Sequence, residues 1–313
     1  MSEVFTFVPS YNHAPFVERC LQSIIKQTLK PRNLLVIDDG SKDNSPQIIE
    51  KVLSDCPFDC ELIVRENRGL CATLNEGFSH CNTEFFAYLS SDDVWLPTIL
   101  EKRVKLLEKR QTTVLSFGHA YLIDEYDRII DSTADYMDFA DGDMLPLLLR
   151  GIIFPSSSVV YRSSALEKHG WNENSLLEDY ELYLKLAADG EFAFDKNILS
   201  AWRQHGGNVS GDFPLMLEEW INAQNRLFQK LNIRREELGR IQTELKFNSV
   251  LSYVRHGRRR EAVRLFAENL SGAKSVSQIG KTIFRLSIPQ TLFQWNRRRK
   301  KRKAIENYGK LEI

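Results

Sequence analysis

The sequence predicts an α/β fold: a mostly parallel sheet with helices on both faces, followed by a helical C-terminal extension. Three observations carry this. Apolar runs of strand length at residues 4–8, 34–37, 61–64 and 85–90 alternate with segments of helical spacing at 14–29, 45–53, 70–80 and 97–109. Strands separated by helices at this interval make βαβ units. Each apolar run ends in polar residues, and in such sheets ligands bind beyond the carboxyl ends of the strands. Finally, the charge inverts along the chain. Residues 1–214 hold 20 Lys+Arg against 33 Asp+Glu, whereas residues 215–313 hold 22 against 9. The chain is therefore divided into an acidic region, 1–214, and a basic tail, 215–313.

The 313 residues are 42% hydrophobic and 27% charged, which is ordinary for a soluble protein. The five cysteines all lie within the first 81 residues, and Met1-Ser2-Glu3 is neither a basic start nor followed by a long apolar run. Free thiols in a reducing cytoplasm are expected. Cys56 and Cys60 are half of a metal-site pattern without a second pair. No stretch approaches the ~18–20 uninterrupted apolar residues of a membrane span.

In chain order, Val4–Val8 is a short buried strand broken by Pro9-Ser10-Tyr11-Asn12. Phe16, Val17, Cys20, Leu21, Ile24 and Ile25 share one face of the first helix. Leu34–Ile37 ends in Asp38-Asp39-Gly40-Ser41, and Ser45-Pro46 reads as an N-cap and first-turn pair. Glu61–Val64 is the third strand, followed by Arg65 to Gly69. The fourth, 85–90, ends in Ser91-Asp92-Asp93 before Trp95. Beyond it, residues 114–134 form a hairpin turning at Asp124–Arg128, an Asp-rich stretch follows, and Phe154–Arg162 is a polar loop entering a strand. Glu178-Asp179 opens a helix, and Ile198–His205 is the last strand. No GxGxxG or GxxxxGKS pattern is present, which disfavours dinucleotide oxidoreductases and P-loop NTPases.

Adjacent ionised carboxylates repel unless a cation lies near them. Hard divalent ions bind through one or two carboxylates plus substrate phosphates. Asp92-Asp93 at a strand end thus reads as a seat for Mg²⁺ or Mn²⁺ and a phosphorylated ligand; alone, it reads equally as a surface turn.

The ordered set Val8-Pro9-Ser10-Tyr11-Asn12, Gln27-Thr28, Asp38-Asp39-Gly40-Ser41, Asn67-Arg68-Gly69-Leu70 with Asn75 and Gly77, Ser91-Asp92-Asp93, Glu178-Asp179, and Trp202-Arg203-Gln204-His205 with Asn208 and Ser210 resembles family 2 glycosyltransferases of the GT-A fold. The resemblance covers residues 4–210. It implies an inverting transferase that moves a sugar from a nucleotide donor, UDP favoured, to an acceptor hydroxyl. It assigns Asp93 as the more direct ligand of Mn²⁺ or Mg²⁺ and Asp179 as the base. A helix N-terminus would keep Asp179 ionised but lower its basicity. Pro9, Tyr11 and Asn12 would lie around the base, with Tyr11 stacking or donating a hydrogen bond. Asp39 would accept from base or ribose with Asp38 beside it, and Arg68 would lie near the base or diphosphate. Asp92 would face the metal, sugar or ribose. Arg203 is either a diphosphate contact or an outward-facing strand residue; His205 is a third metal ligand or structural. Glu178 either orients the acceptor or favours the helix start, and Trp95 is a wall for the sugar or a core anchor.

The tail lies outside the resemblance. Met216–Leu231 and Glu236–Val254 have helical spacing, and an apolar segment, Ile283–Trp295, precedes Arg297–Lys303. Apolar and aromatic residues backed by dense positive charge suit an anionic membrane surface; a solvated end is the plain alternative, and nucleic-acid binding is disfavoured. The function expected is a metal-assisted glycosyltransferase at the inner face of the cytoplasmic membrane, acting on a lipid-linked glycan. The rivals are a sugar nucleotidyltransferase, whose Gly- and Arg-rich phosphate loop is missing here, and a non-catalytic sugar-nucleotide-binding or membrane-associated module.

Overall fold

The structure, a computed structural model, describes residues 3–207 and 211–313. Asn208 and Ser210 lie outside the described residues. The strands are β1 (Val4–Ser10), β2 (Asn33–Asp38), β3 (Cys60–Val64), β4 (Phe85–Tyr88), β5 (Val94–Trp95), β6 (Thr113–Ile123), β7 (Ile129–Ser132), β8 (Val160–Arg162) and β9 (Glu191–Arg203). They form one sheet in the order β3-β2-β1-β4-β8-β6-β9-β5, with β7 on β6. The quartet β3-β2-β1-β4 is entirely parallel. Beyond it, β8 runs antiparallel to β4 and β6, β9 is parallel to β6, β5 pairs antiparallel with β9 and β7 antiparallel with β6.

The helices of this region are α1 (Val17–Ile25), α2 (Ser45–Ser54), α3 (Leu70–Ser79), α4 (Ile99–Lys109), α5 (Leu145–Leu148), α6 (Ser163–Leu166) and α7 (Glu178–Asp189). They cover both faces because the strands alternate. Val4, Val8, Leu34, Val36, Phe85 and Ala87 point to the side covered by α1, α2 and α4. Phe5, Phe7, Leu35, Ile37, Phe86 and Tyr88 point to the other, with α3 and α7. Strands buried on both faces read as unbroken apolar runs, as these do. Two glycines permit close approaches. Gly40 has φ +80°, and a Cβ there would sit 2.8 Å from the Asn67 nitrogen. A Cβ on Gly77 would meet the Phe7 ring at 2.5 Å, so only glycine lets α3 lie this close to β1.

Some boundaries differ from expectation. The N-cap of α2 is Asn44, not Ser45. The Ser45 hydroxyl instead accepts from the His13 N–H at 3.0 Å and donates to Asp43 Oδ1 at 2.6 Å, which ties the β1 loop down. The last strand begins at Glu191 rather than Ile198 because β6 offers an edge along its whole length.

The tail is helical: α8 (Phe213–Leu227), α9 (Arg235–Arg255), α10 (Arg259–Glu268), α11 (Val276–Ser287) and α12 (Gln290–Tyr308). Leu217, Trp220, Ala223, Leu238, Ile241 and Leu245 join the same apolar cluster as Tyr180 and Leu184 of α7. After α12 the chain returns to the sheet. Leu311 donates its N–H to Asp127 O at 2.8 Å, and its buried side chain packs with Val94, Ile123, Ile129 and Ala201.

Candidate active site

The carboxyl ends of the parallel strands β1, β2 and β4 share one edge of the sheet, and the end of β9 joins it where Arg203 meets Asp93. The start of α7 lies near enough for the Asp92 charge to act on Glu178. At the end of β1, Pro9 is a buried strand residue opposite Ile37. Tyr11 is 46% exposed, with its ring open to a ligand. Asn12 takes a left-handed conformation (φ 54°); its N–H donates to Ser41 Oγ at 2.8 Å and its Oδ1 accepts from the Lys42 N–H at 2.7 Å. Asp38 is buried and accepts from Ser10 Oγ, the Ser41 N–H and Ser41 Oγ. Asp39 accepts from the Arg65 guanidinium, the Arg68 N–H (2.8 Å) and the Gly69 N–H (2.9 Å). These two carboxylates therefore hold the rim together, with Asp39 at the N-terminus of α3 where negative charge is favoured. The Arg68 side chain is exposed and, among the described residues, pairs with Glu76 at 3.5 Å.

At the end of β4 the two acids diverge. Asp93 Oδ1 accepts the backbone N–H of Arg203 at 2.8 Å. Burial and neighbouring Asp92 push the Asp93 carboxyl well above the usual range. Asp92 turns toward two histidines: His205 Nε2 lies 3.0 Å from Oδ2, and His13 Nδ1 lies 3.9 Å from Oδ1. His13 also meets Ser91 Oγ at 2.7 Å, and the imidazoles pack edge-on with centroids 5.6 Å apart. One potential ligand atom each from His13, Asp92 and His205 lies within 4.8 Å of the others. Asp92, rather than Asp93, is the acid the structure brings to His205. Burial lowers the His13 pKa, which favours the neutral, metal-binding form.

Two expected ligand contacts sit elsewhere. Trp95 is fully buried and is not a wall for the sugar. Pairing of β5 with β9 turns the ring inward onto α1 and α4, where Nε1 donates to Ser157 O at 2.7 Å. Trp95→Ala is expected to cost about 3–5 kcal/mol, measured as a lower urea midpoint with an unchanged m-value. Arg203 is 1% exposed and does not point its guanidinium outward or at a diphosphate. Nε donates to Asp92 O (2.7 Å), Nη1 to Asp124 O (2.8 Å) and Nη2 to Asp127 Oδ1 (2.7 Å), while the Phe16 ring lies 4.8 Å from the guanidinium carbon.

Glu178 and Asp179 sit half-buried at the first turn of α7. Burial raises Asp179 to about 6 against the pull of backbone N–H groups. Burial and then Asp179 raise Glu178 to about 8, with Asp92 adding to the push. Burial thus outweighs the helix N-terminus, opposite to the lowering expected. Asn75 holds the loop leading to this pair: Nδ2 donates to Trp171 O at 2.9 Å and Oδ1 accepts from the Trp171 N–H at 2.8 Å.

His13, Arg65 and Asp127 were not anticipated from the sequence. His13 lies two residues past Tyr11 in the same strand-end loop, and Asp127 has φ 63° in the hairpin turn; a polar residue in a turn beside a ligand rim was the available signal.

The sequence model of glycosyl transferase family 2 matches residues 6–170, more than half of the chain. The chain belongs to this family. An uncharacterized glycosyltransferase of Rickettsia conorii is 30% identical over 245 residues, 74% of this chain and 40% of the relative. Chondroitin synthase of Escherichia coli is 24% identical over 240 residues, 74% of this chain and 33% of that one. The chain spans about half or less of the curated relatives it first matches, 52% of a Nostoc protein and 40% of the R. conorii one. Solved structures share the GT-A fold. A Pyrobaculum calidifontis mannosyltransferase in complex with GDP-Man and Mn²⁺ superposes with TM-score 0.63 at 16% identity, covering 98% of this chain and 87% of that one. S. aureus TarS 1–349 in complex with UDP-GlcNAc gives 0.61 at 14%, covering 98% and 91%.

Proposed function

We propose that this glycosyltransferase moves a sugar from a nucleoside-diphosphate donor, UDP favoured, to a hydroxyl of a lipid-linked glycan, with inversion in a single displacement. The observation that carries the reading is a His-Asp-His group close to a second pair of acids. Asp92 stands with His13 and His205, and its charge adds to the upward push on Glu178, the neighbour of Asp179.

Tyr11 and Arg68 offer a ring and a charge to the nucleotide. Asp179 accepts the proton of the acceptor hydroxyl as its oxygen bonds to the anomeric carbon. The bond from that carbon to the diphosphate oxygen breaks on the opposite face. Glu178, neutral below about pH 8, offers a hydrogen-bond donor rather than a second negative charge beside the base.

A divalent cation fits the donor set. Two imidazoles and a carboxylate suit Mn²⁺ better than Mg²⁺, which prefers oxygen alone. His13, Asp92 and His205 would hold it, and Asp93 would fix the backbone beside it through Arg203. When bound, the ion offsets the charge growing on the departing diphosphate. Among the described residues no helix is long and apolar enough to cross a membrane. Action on a lipid-linked acceptor at the inner face of the cytoplasmic membrane fits docking of the basic tail on the membrane surface.

A thermal-shift screen of UDP-, GDP- and dTDP-sugars with Mn²⁺ or Mg²⁺ tests the donor and metal. A ligand at a hundred times its Kd stabilises by about 2.7 kcal/mol. A UDP-sugar with Mn²⁺ is expected to give the largest rise in Tm, reduced by His13→Ala and His205→Ala. No shift with any pair defeats the donor assignment.

A further inference from the structure

The last two long helices leave apolar side chains in solvent. On α11, Val276, Ile283 and Phe284 stand at i, i+7 and i+8 and share a face; Val276 is 85% and Phe284 67% exposed. On α12, Leu292 and Trp295, at i and i+3, are 52% and 59% exposed. The helices meet at the elbow Ile288-Pro289. Leu286 and Phe293 turn inward from it onto Val250, Val254 and Ala262. The Arg259 guanidinium donates to the carbonyls of Leu286 and Ile288, and Gln290 Nε2 donates to Arg255 O at 3.3 Å. The elbow is a packed corner with an apolar outside.

Its charge is of one sign. Residues 269–305 contain ten Lys+Arg and no Asp or Glu. Arg299, Arg302 and Lys303 follow Trp295 at i+4, i+7 and i+8, on the outward side of α12, and Arg299 lies over the Trp295 ring at 5.6 Å. Lys301 falls on the opposite side and pairs with Asp124 at 3.2 Å. Among the described residues Arg299, Arg302 and Lys303 form no ion pair, and neither do Lys281 and Arg285 at the flank of α11. Next to the elbow, Gly257, Arg258, Arg259, Arg260, Glu261 and Val263 line an open concavity of about 860 Å³, with three arginines to one acid. A partner that accepts aliphatic and aromatic side chains while presenting many negative charges is a lipid surface. A nucleic acid would satisfy the cations but leave Val276, Ile283 and Phe284 in water.

We propose that the α11–α12 elbow docks the chain on an anionic bilayer. Ile283, Phe284, Leu292 and Trp295 enter the headgroup–acyl boundary, and Arg299, Arg302 and Lys303 meet lipid phosphates. This deepens the reading of a lipid-linked acceptor, and its test reads binding rather than turnover.

The full chain is sedimented with vesicles of phosphatidylcholine, with and without phosphatidylglycerol. Pelleting with the anionic vesicles is expected, little with the neutral ones, and less as salt rises. The F284A/W295A double variant should lose about tenfold in partitioning. R299Q/R302Q/K303Q should lose on the order of a hundredfold, at about 1 kcal/mol per charge. Both should keep the wild-type Tm and donor-induced shift, because the altered side chains are exposed. The proposal is overturned if the wild type stays in the supernatant, binds neutral vesicles equally, or is stripped from vesicles by duplex nucleic acid at equal phosphate. Unchanged binding by both variants overturns it too. Docking that fails while the donor shift persists leaves the transfer reading standing; docking that persists without any donor shift spares this surface alone.

Discussion

Asp179→Asn is expected to lower kcat about a thousandfold, within the range for loss of a general base, with nucleotide binding unchanged. The amide keeps the size and hydrogen bonds of the side chain but cannot take the acceptor's proton. The acid limb of wild-type kcat/KM should have an apparent pKa of about 6, since Asp179 must be ionised to act. Glu178→Gln should leave that limb in place: Glu178, raised to about 8, is already neutral where Asp179 titrates, and glutamine copies the neutral form. The stability change runs opposite to the activity change. The folded pKa of Asp179 lies above its unfolded value of 3.8, so the fold prefers the protonated form. Stability from this group is present at low pH and lost as pH rises from about 4 through about 6. At neutral pH, Asp179→Asn should therefore hold or raise Tm while activity collapses. Near-full turnover in the variant would remove Asp179 from the base role.

The same residues show why some of this was legible and some was not. Strands β1, β2 and β4 were readable because strands buried on both faces leave an unbroken apolar trace, and because each ended in residues that turn or bind. Neighbouring acids at a strand end also mark themselves. What sequence adjacency cannot carry is how deeply distant partners bury a residue. Arg203 and His205, two apart, both reach Asp92 and both pack on the Phe16 ring. What differs is depth: the Arg203 guanidinium is buried on Asp124 and Asp127, while the His205 ring stays half-buried at Asp92. Trp95 beside Asp93 looked like a cleft wall, yet the two-residue strand it belongs to exists only through pairing with β9, about a hundred residues away. His13 becomes visible as a candidate ligand only once the β1 loop meets Ser91 and Asp92, and the return of Leu311 to the sheet has no local signature at all.

Arg203→Met is expected to destabilise the protein by about 3–5 kcal/mol, the cost of breaking a buried ion pair on one side. Its guanidinium neutralises Asp127 and satisfies the carbonyls of Asp92 and Asp124, and methionine fills the volume but donates nothing. Asp127 would keep only Arg19, at 3.1 Å. Arg203→Lys should recover part of the loss, since an ammonium keeps the charge but not the three-way fork. The effect should also reach the ligand site, because the Arg203 backbone N–H holds Asp93 while its side chain holds the Asp92 carbonyl. The Mn²⁺ concentration for half-maximal activity should therefore rise in Arg203→Lys even where the protein is fully folded. Leu311→Ala separates stability from positioning. Leu311 packs under the same hairpin and accepts from Arg19 Nη2 through its backbone carbonyl, which alanine keeps. Loss of its buried side chain should cost about 2–3 kcal/mol with the Mn²⁺ dependence unmoved. Equal shifts in Mn²⁺ dependence for both variants would make Arg203 a stability residue alone. A shift confined to Arg203→Lys would make the arginine the brace that fixes the angle of the Asp92-Asp93 turn.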